Sequence, residues 1–173
     1  MGTVPTPATA VAGTPANASD ANTWRDGVNW VQSNHPLFIG TNSANQSIPN
    51  NSSTAITLNT EEIDSDSTHS TATNTSRCTP QTPGYHDIFA YCNFAANATG
   101  LRQLEVKFNG TTSLSLDSKP TVGSGAATHC NVSTKANFNG STDYVEMYAF
   151  QTSGTGINVA AGARLCVEWR RTA

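Results

Sequence analysis

Residues 101–116 read LRQLEVKFNGTTSLSL, and this stretch decides the fold class. Apolar residues occupy alternate positions in its first half, which is the pattern of a strand with one buried face. Asn109-Gly110 follows, and this dipeptide is a strong signal for a two-residue hairpin turn because both residues tolerate a positive φ. The stretch therefore predicts two antiparallel strands joined by a tight turn, with Leu114 and Leu116 of the second strand facing inward.

Similar alternation recurs on both sides of this hairpin. Turn-forming residues such as Asn139-Gly140 and Gly162 separate the alternating segments. Further strands are predicted at 54–58, 85–94, 127–138, 143–151, 157–159 and 164–170. Because no helical stretch lies between them, residues 54–173 are predicted to form an all-β sandwich or jelly roll.

The composition excludes two classes of partner. Charged residues make up 12% of the chain and the formal net charge is -3, whereas nucleic-acid binders use Lys and Arg to neutralise phosphates. No apolar run reaches the length of a membrane span, and residues 1–12 lack the features of a secretory signal. Residues 1–6 fit a short myristoylation pattern, but Pro5 fits it poorly and no polybasic patch follows. We therefore expect neither nucleic acid nor a membrane as partner.

The chain is expected to have three parts: an anchoring region at 1–36, a polar linker at 37–53 and the strand-rich domain at 54–173. Pro5 and Pro7 fix φ and remove backbone donors, so Val4 and its neighbours are predicted to form an extended arm rather than a helix or a central strand. Such an arm buries little of its own surface and needs a partner.

One helix is predicted, over residues 19–33. Asp20 lies in its first turn, where a negative charge suits the helix dipole, and the residue before Pro36 is expected to end it. Four apolar residues fall at helical spacing on one stripe: Ala21, Trp24, Val28 and Val31. Trp30 lies off this stripe. A single short helix cannot bury its own face, so it must pack on the β domain, on sister copies or on another protein.

The four cysteines, Cys78, Cys92, Cys130 and Cys166, are far apart in the sequence. Their spacing does not support a zinc site. Free thiols are favoured over disulfides on the grounds of compartment, and the sequence leaves the pairing open.

The remaining polar residues do not form a motif for catalysis or for binding a cofactor or metal. Glu61, Glu62, Asp64 and Asp66 make an acidic run, but Thr68 and the residue after it occupy positions that a calcium loop would fill differently. A solvated loop is therefore favoured over a cation site. No nucleophile-elbow or dinucleotide-binding pattern occurs. The sequence predicts a protein that is not an enzyme.

The strand region resembles a known family. Five segments occur in order: PGYHDIFA at 83–90, NATGLR at 97–102, FNG at 108–110, GSTDYVE at 140–146 and LCVEW at 165–169. Together they resemble the C1q/TNF-like jelly roll, in the version found in small structural proteins of actinobacterial tailed phages. The front end, with TVPTP at 3–7 and DANTWRD at 20–26, is similar to the arm of such phage proteins. The chain departs from the pattern at 168–171, where the last strand is not fully apolar, and at 61–75, which lacks alternation.

The resemblance implies a homotrimer, and the aromatic residues are compatible with one. Alternation places five of them on strand faces opposite the aliphatic residues, where they are expected to meet neighbouring subunits: Phe89, Tyr91, Tyr144, Tyr148 and Phe150. The alternative is that some of these aromatics cover the ends of the barrel.

The expected function is structural, within a phage virion assembled in the host cytoplasm. The arm (Val4, Pro5 and Pro7) and the helix stripe (Trp24, Val28 and Val31) would attach the trimer to capsid or tail proteins. A head decoration, or minor capsid protein, a head fibre and a tail-tip protein all remain open. The alternative is a module that recognises glycan or protein on the host surface, with Tyr85 or Trp169 as a platform. A glycosidase or lyase is a more distant third reading.

Overall fold

The computed structural model describes residues 18–33, 35–121 and 126–173, without the side chains of Val31 and Ser33. One helix, α1 (Ala18–Ser33), precedes twelve strands in these parts of the chain. The strands are β1 (Leu37–Thr41), β2 (Gln46–Ile48), β3 (Thr54–Ala55), β4 (Thr60–Asp64), β5 (Arg77–Cys78), β6 (Gly84–Phe94), β7 (Leu101–Phe108), β8 (Thr112–Pro120), β9 (Thr128–Phe138), β10 (Val145–Gln151), β11 (Ile157–Val159) and β12 (Arg164–Arg171). The predicted arm residues Val4, Pro5 and Pro7 lie outside the described residues.

The strands form two antiparallel sheets. In the larger sheet β6 pairs with β9 on one side and with β12 on the other, and β1 and β4 continue the sheet beyond β12. β11 pairs with the far end of β6 and with β2. In the smaller sheet the order is β8–β7–β10, and both β3 and β5 pair with β10 at different positions. The prediction of an all-β sandwich with one short helix is confirmed.

The core fills the space between the sheets. On β6 the side chains of Ile88, Ala90, Cys92 and Phe94 point inward, and on β10 those of Val145, Met147 and Ala149 do the same; all are at most 1% exposed. Alternation therefore assigned the faces of these strands correctly.

The hairpin between β7 and β8 has the predicted turn, with one unexpected feature. Asn109 and Gly110 both have positive φ, 51° and 72°, as the two central residues of such a turn require. The register shifts at Leu114, which is an extra residue on β8 and packs against the core. The bulge sends the following residues to opposite faces, so Leu116 is 50% exposed and the prediction that it faces inward is wrong.

The stretch 37–53 is not a linker. It contains β1 and β2, which pair with β12 and β11 in the larger sheet, and it supplies Phe38 and Ile48 to the core. Similarly, β4 forms within the acidic stretch that lacked alternation. These strands are five residues or fewer, so their periodicity is too short to separate from loop sequence.

Helix α1 occupies nearly the predicted range, but it packs on the β domain through the residue off its apolar stripe. Trp30 is 8% exposed, and its ring meets that of Trp169 on β12 edge to face, with the centroids 4.9 Å apart. Trp24 and Val28 are instead 61% and 52% exposed. At 100° per residue, Trp30 lies about 120° around the helix from Trp24, so one contact cannot bury both.

Candidate functional site

An apolar row crosses the outer face of the larger sheet. The pairing of β4 with β1, of β1 with β12 and of β12 with β6 puts four side chains in line: Ile63, Ile39, Cys166 and Phe89. Each of these side chains lies on the face of its strand that points away from the core. With adjacent strands about 4.8 Å apart, the row spans roughly 15 Å. Phe89 is 43% exposed and Ile63 is 39% exposed, so the row ends in two large apolar side chains that face solvent.

An ion-pair cluster borders this row on one side. The carboxylate of Asp87 on β6 pairs with Lys135 on β9 and with Arg170 on β12, and Arg170 also pairs with Glu168 at 3.1 Å. The hydrogen bond from Lys135 and then that from Arg170 lower the pKa of Asp87 below its ordinary value. A cleft of about 420 Å³ lies between this cluster and Phe89. The charges next to the apolar row are thus already paired within the chain.

The other border of the row carries polar contacts. Tyr91 on β6 lies beside His129 on β9, with the rings stacked and the Tyr91 hydroxyl 3.1 Å from Nδ1 of His129. On the same side Arg164 donates to Glu62 at 2.8 Å. The outer face of the larger sheet therefore has an apolar centre between two borders of paired polar groups. Protein interfaces commonly have this layout.

Tyr148 on β10 and Tyr144, which directly precedes this strand, have a different environment on the outer face of the smaller sheet. The guanidinium of Arg77 lies 4.2 Å from the centre of the Tyr144 ring, and the ammonium of Lys107 lies 4.5 Å from that of Tyr148. The Tyr148 hydroxyl donates to Oε2 of the buried Glu146 at 2.9 Å. Burial and this bond to a carboxylate raise the pKa of Tyr148 to about 12. These two tyrosines are already covered by side chains of their own chain.

The five predicted interface aromatics consequently do not lie together. Phe89 and Tyr91 are on the outer face of the larger sheet, whereas Tyr144, Tyr148 and Phe150 are on the outer face of the smaller sheet. Their role in a trimer stays a prediction. It is better supported for Phe89 and Tyr91, which lie in or beside the apolar row, than for Tyr144 and Tyr148, which are covered by side chains of their own chain.

Three members of the apolar row were missed by sequence reasoning: Ile39, Ile63 and Cys166. Ile39 was assigned to a linker and Ile63 to an acidic loop, so neither was considered part of a strand. Only the pairing of four strands distant in sequence brings these side chains together. A local signal existed only for β1, where apolar residues follow Pro36.

The stripe of α1 is the second exposed apolar feature. Trp24 and Val28 are one helical turn apart and both project to solvent. Val31 lies in the helix, but its side chain is outside the described set. The largest residue in the described part of the predicted anchor, Trp24, is thus exposed.

The proposed platform residues of a host-binding surface differ in availability. Tyr85 is 40% exposed and has the guanidinium of Arg171 over its ring at 5.6 Å. Trp169 packs against Trp30 and its Nε1 donates to the carbonyl oxygen of Pro83 at 3.1 Å. Trp169 is therefore committed to contacts within the chain.

The acidic run holds its own loop in shape. Oδ1 of Asp64 accepts hydrogen bonds from the backbone nitrogen and hydroxyl of Thr68, at 2.9 and 3.0 Å, and Oδ2 accepts one from the backbone nitrogen of His69 at 3.0 Å. The ring of His69 in turn contacts Glu61, with Nδ1 2.8 Å from Oε1. Among residues 18–33, 35–121 and 126–173, no group of three or more His, Cys, Asp or Glu side chains has an arrangement that could hold a metal ion.

None of the helical segments that the structure describes combines the length and the apolar content needed to cross a bilayer.

Comparison with known proteins identifies the fold. No family model and no curated protein sequence matches the chain. Among solved structures, the globular domain of zebrafish complement 1qA protein matches with a TM-score of 0.57 at 14% identity, over 80% of this chain and 99% of that one. Murine APRIL matches with a TM-score of 0.60 at 10% identity, over 78% and 99%. The Eiger TNF of S. frugiperda matches with a TM-score of 0.58 at 9% identity, over 80% and 92%.

The fold is a C1q/TNF-like jelly roll. The identities are low enough that the likeness concerns the fold alone. The predicted fold class is confirmed, and the predicted origin in a phage remains a hypothesis.

Proposed function

We propose that this chain is a non-enzymatic structural module that forms a homotrimer through the outer face of its larger sheet and is attached by residues 1–36 to the capsid or tail of a phage virion. The observation that carries the proposal is the apolar row Ile63–Ile39–Cys166–Phe89. A contiguous apolar strip whose ends, Ile63 and Phe89, are exposed and whose borders are paired charges is typical of a protein–protein contact.

Self-association is favoured as the use of this face for two reasons. Its charges are paired within the chain, as in Asp87 with Lys135, so an external partner need not supply counter-charges. The fold likeness to C1q and TNF domains adds support for a trimer in particular. In a trimer each copy presents the row to a different surface of the next copy, and the ring closes after three contacts.

Attachment is assigned to α1 and the arm because the jelly roll does not use the helix stripe. Trp24 and Val28 would each be present three times in a trimer. Three simultaneous weak contacts raise the overall affinity well above that of one, provided the geometry lets all three engage. The virion role rests on the resemblance of the arm and the strand segments to tailed-phage proteins.

Phe89→Glu tests the association. Sedimentation of the wild-type chain should give about three times the chain mass of 18.2 kDa. Phe89→Glu should yield monomers, because a carboxylate at the end of the row would be buried without a partner. Leu116→Glu is the matched control, since Leu116 is as exposed as Phe89 but lies on the smaller sheet. A wild-type monomer, or a Phe89→Glu trimer as stable as the control, would contradict the proposal.

Attachment is tested by Trp24→Ser combined with Val28→Ser. These changes should leave the trimer intact and abolish its binding to particles that lack the protein. Arg25→Ser is the control on the same exposed helix. A double variant that still decorates particles would show that the helix is not the anchor.

A second function, binding to the host surface, is favoured by a polar groove beside Tyr144. The groove has a volume of about 390 Å³ and is lined by hydroxyl and amide side chains together with Arg77. Such groups can hydrogen-bond to sugar hydroxyls or to a peptide backbone. Saturable binding to isolated host envelope that Arg77→Ala weakens would support this function, and binding that does not saturate would count against it.

A further inference from the structure

Two of the cysteines lie at directly opposite positions on the core-facing side of the larger sheet. Cys92 on β6 and Cys130 on β9 are directly paired residues of adjacent antiparallel strands. Both side chains point inward and both residues are 0% exposed. Neither of the other cysteines has such a neighbour: Cys78 pairs with Val145, and the strand partners of Cys166 are apolar.

This placement suits a disulfide. Directly opposite residues of antiparallel strands have Cα atoms about 4.5–5.5 Å apart, within the range of about 4.4–6.8 Å found across disulfides. Both side chains lie on the buried face of the sheet at directly opposite positions, so the two sulfur atoms are on the same side of the strand pair. Bond formation would require rotation of two side chains and little backbone movement.

We propose that Cys92 and Cys130 form a disulfide bond when the chain folds in the presence of a small disulfide oxidant such as oxidised glutathione. The thiolate of one cysteine attacks a sulfur of the oxidant, which forms a mixed disulfide and releases one glutathione thiolate. The second cysteine, once deprotonated, attacks the protein sulfur of that mixed disulfide and releases the other glutathione thiolate. The two protein thiols are oxidised, one oxidant is reduced, and the two protons end on the two glutathiones.

Either cysteine can attack the oxidant first. Because both residues are buried in the folded chain, exchange with glutathione is expected before the two sheets close on each other.

The cross-link would tie an edge of the larger sheet. β9 has β6 as its strand partner, and residues 93–129 between the two cysteines include β7 and β8 of the smaller sheet. Closing a loop of this length restricts the unfolded chain. The inference goes beyond the proposed function, because it holds whether or not the chain joins a virion.

The test begins with the full wild-type chain, unfolded in reductant and refolded with reduced and oxidised glutathione. Mass spectrometry after alkylation should find two blocked thiols instead of four, and a peptide containing Cys92 linked to one containing Cys130. Trypsin leaves Cys78 and Cys92 together on 78–102, so a second digestion with chymotrypsin, which cuts at Tyr85, is needed to separate them. The oxidised chain should melt about 5–15 °C above the reduced chain, as expected for a disulfide in a chain of this size.

Cys92→Ala and Cys130→Ala should each abolish both the link and the difference in melting temperature. Cys78→Ala is the control, because Cys78 is equally buried but has no cysteine opposite it. Four reactive thiols after oxidative refolding would overturn the proposal, as would a link that contains Cys78 or Cys166. The wild-type peptide map decides the matter even if the alanine variants do not fold.

Discussion

Replacing Arg102 with methionine should destabilise the fold more than replacing a charged residue at the surface would. Arg102 occupies an inward-facing position at the start of β7 and is 0% exposed. Its guanidinium donates to three main-chain carbonyl oxygens, those of Leu101 at 2.8 Å, Thr99 at 3.0 Å and Asn97 at 3.2 Å. A buried cation thus holds the loop that leads into the strand.

The size of the effect follows from these bonds. A hydrogen bond to a charged group contributes about 1.5–3 kcal/mol, so the three together would contribute about 4.5–9 kcal/mol if nothing offset their loss. Two effects offset it. Methionine removes the desolvation penalty of the guanidinium, and the carbonyls of the exposed loop 97–100 can regain water. We therefore expect Arg102→Met to lower the free energy of unfolding by about 2–4 kcal/mol.

Urea unfolding followed by tryptophan fluorescence and by circular dichroism measures this change. Arg164→Met is the matched control, since Arg164 also lies on a strand but is 39% exposed and pairs with Glu62 at the surface. The control should cost less than about 1 kcal/mol. Arg102→Lys should lie between the two, because lysine keeps the charge but cannot reach three divergent acceptors. If Arg102→Met is no more destabilising than Arg164→Met, Arg102 does not hold the loop that leads into β7.

Three further predictions concern other parts of the fold. Trp30→Ala should release α1 from β12, because the edge contact with Trp169 is lost, and tryptic cleavage within α1 should become faster than in the wild type. Gly84→Ala should lower the free energy of unfolding by about 3 kcal/mol or more in the same denaturation assay, because the φ of Gly84 is 130° and a Cβ would overlap a main-chain carbonyl of β12. Gly162→Ala is the control: the φ of Gly162 is 90° but a Cβ there would lie in open space, so this change should cost only about 1–2 kcal/mol. Burial lowers the pKa of His86, so the unfolded chain binds a proton at this residue more readily than the folded chain does. Stability should therefore fall as the pH drops below about 6.5. In melting curves recorded at a series of pH values, His86→Leu should reduce that fall.

Much of the fold could be predicted because long strands carry their own signal. β6 has eleven residues, and its six buried positions alternate without interruption, while the Asn109-Gly110 turn fixed the neighbouring hairpin locally. β1, β2 and β4 have at most five residues and draw their stability from pairing with strands distant in sequence. The bulge at Leu114 could not be predicted either. The sequence of β8 alternates in the same way whether or not Leu114 has a paired residue on β7.

The candidate surface was less accessible to sequence reasoning than the fold. Alternation tells which residues of one strand share a face, and it did so correctly for Phe89 and Tyr91. It does not tell which sheet a strand joins. Tyr144 and Tyr148 were therefore grouped with them, although β10 lies in the opposite sheet. Membership of a common surface depends on strand order, which no short-range pattern encodes.

Helix α1 has two apolar faces, of which one packs on the β domain and the other is exposed. A helix that served only to stabilise the jelly roll would need a single apolar face. The face with Trp24 and Val28 is the larger of the two on α1, and burying it would have been enough. Instead Trp30 supplies the contact with β12, from a direction about 120° away from Trp24 and about 160° away from Val28. The contact through Trp30 fixes the orientation of the helix, so the exposed pair points in one defined direction from the β domain. A preoriented apolar face loses less conformational entropy on binding than a free segment would, and this supports the proposal that Trp24 and Val28 bind a partner.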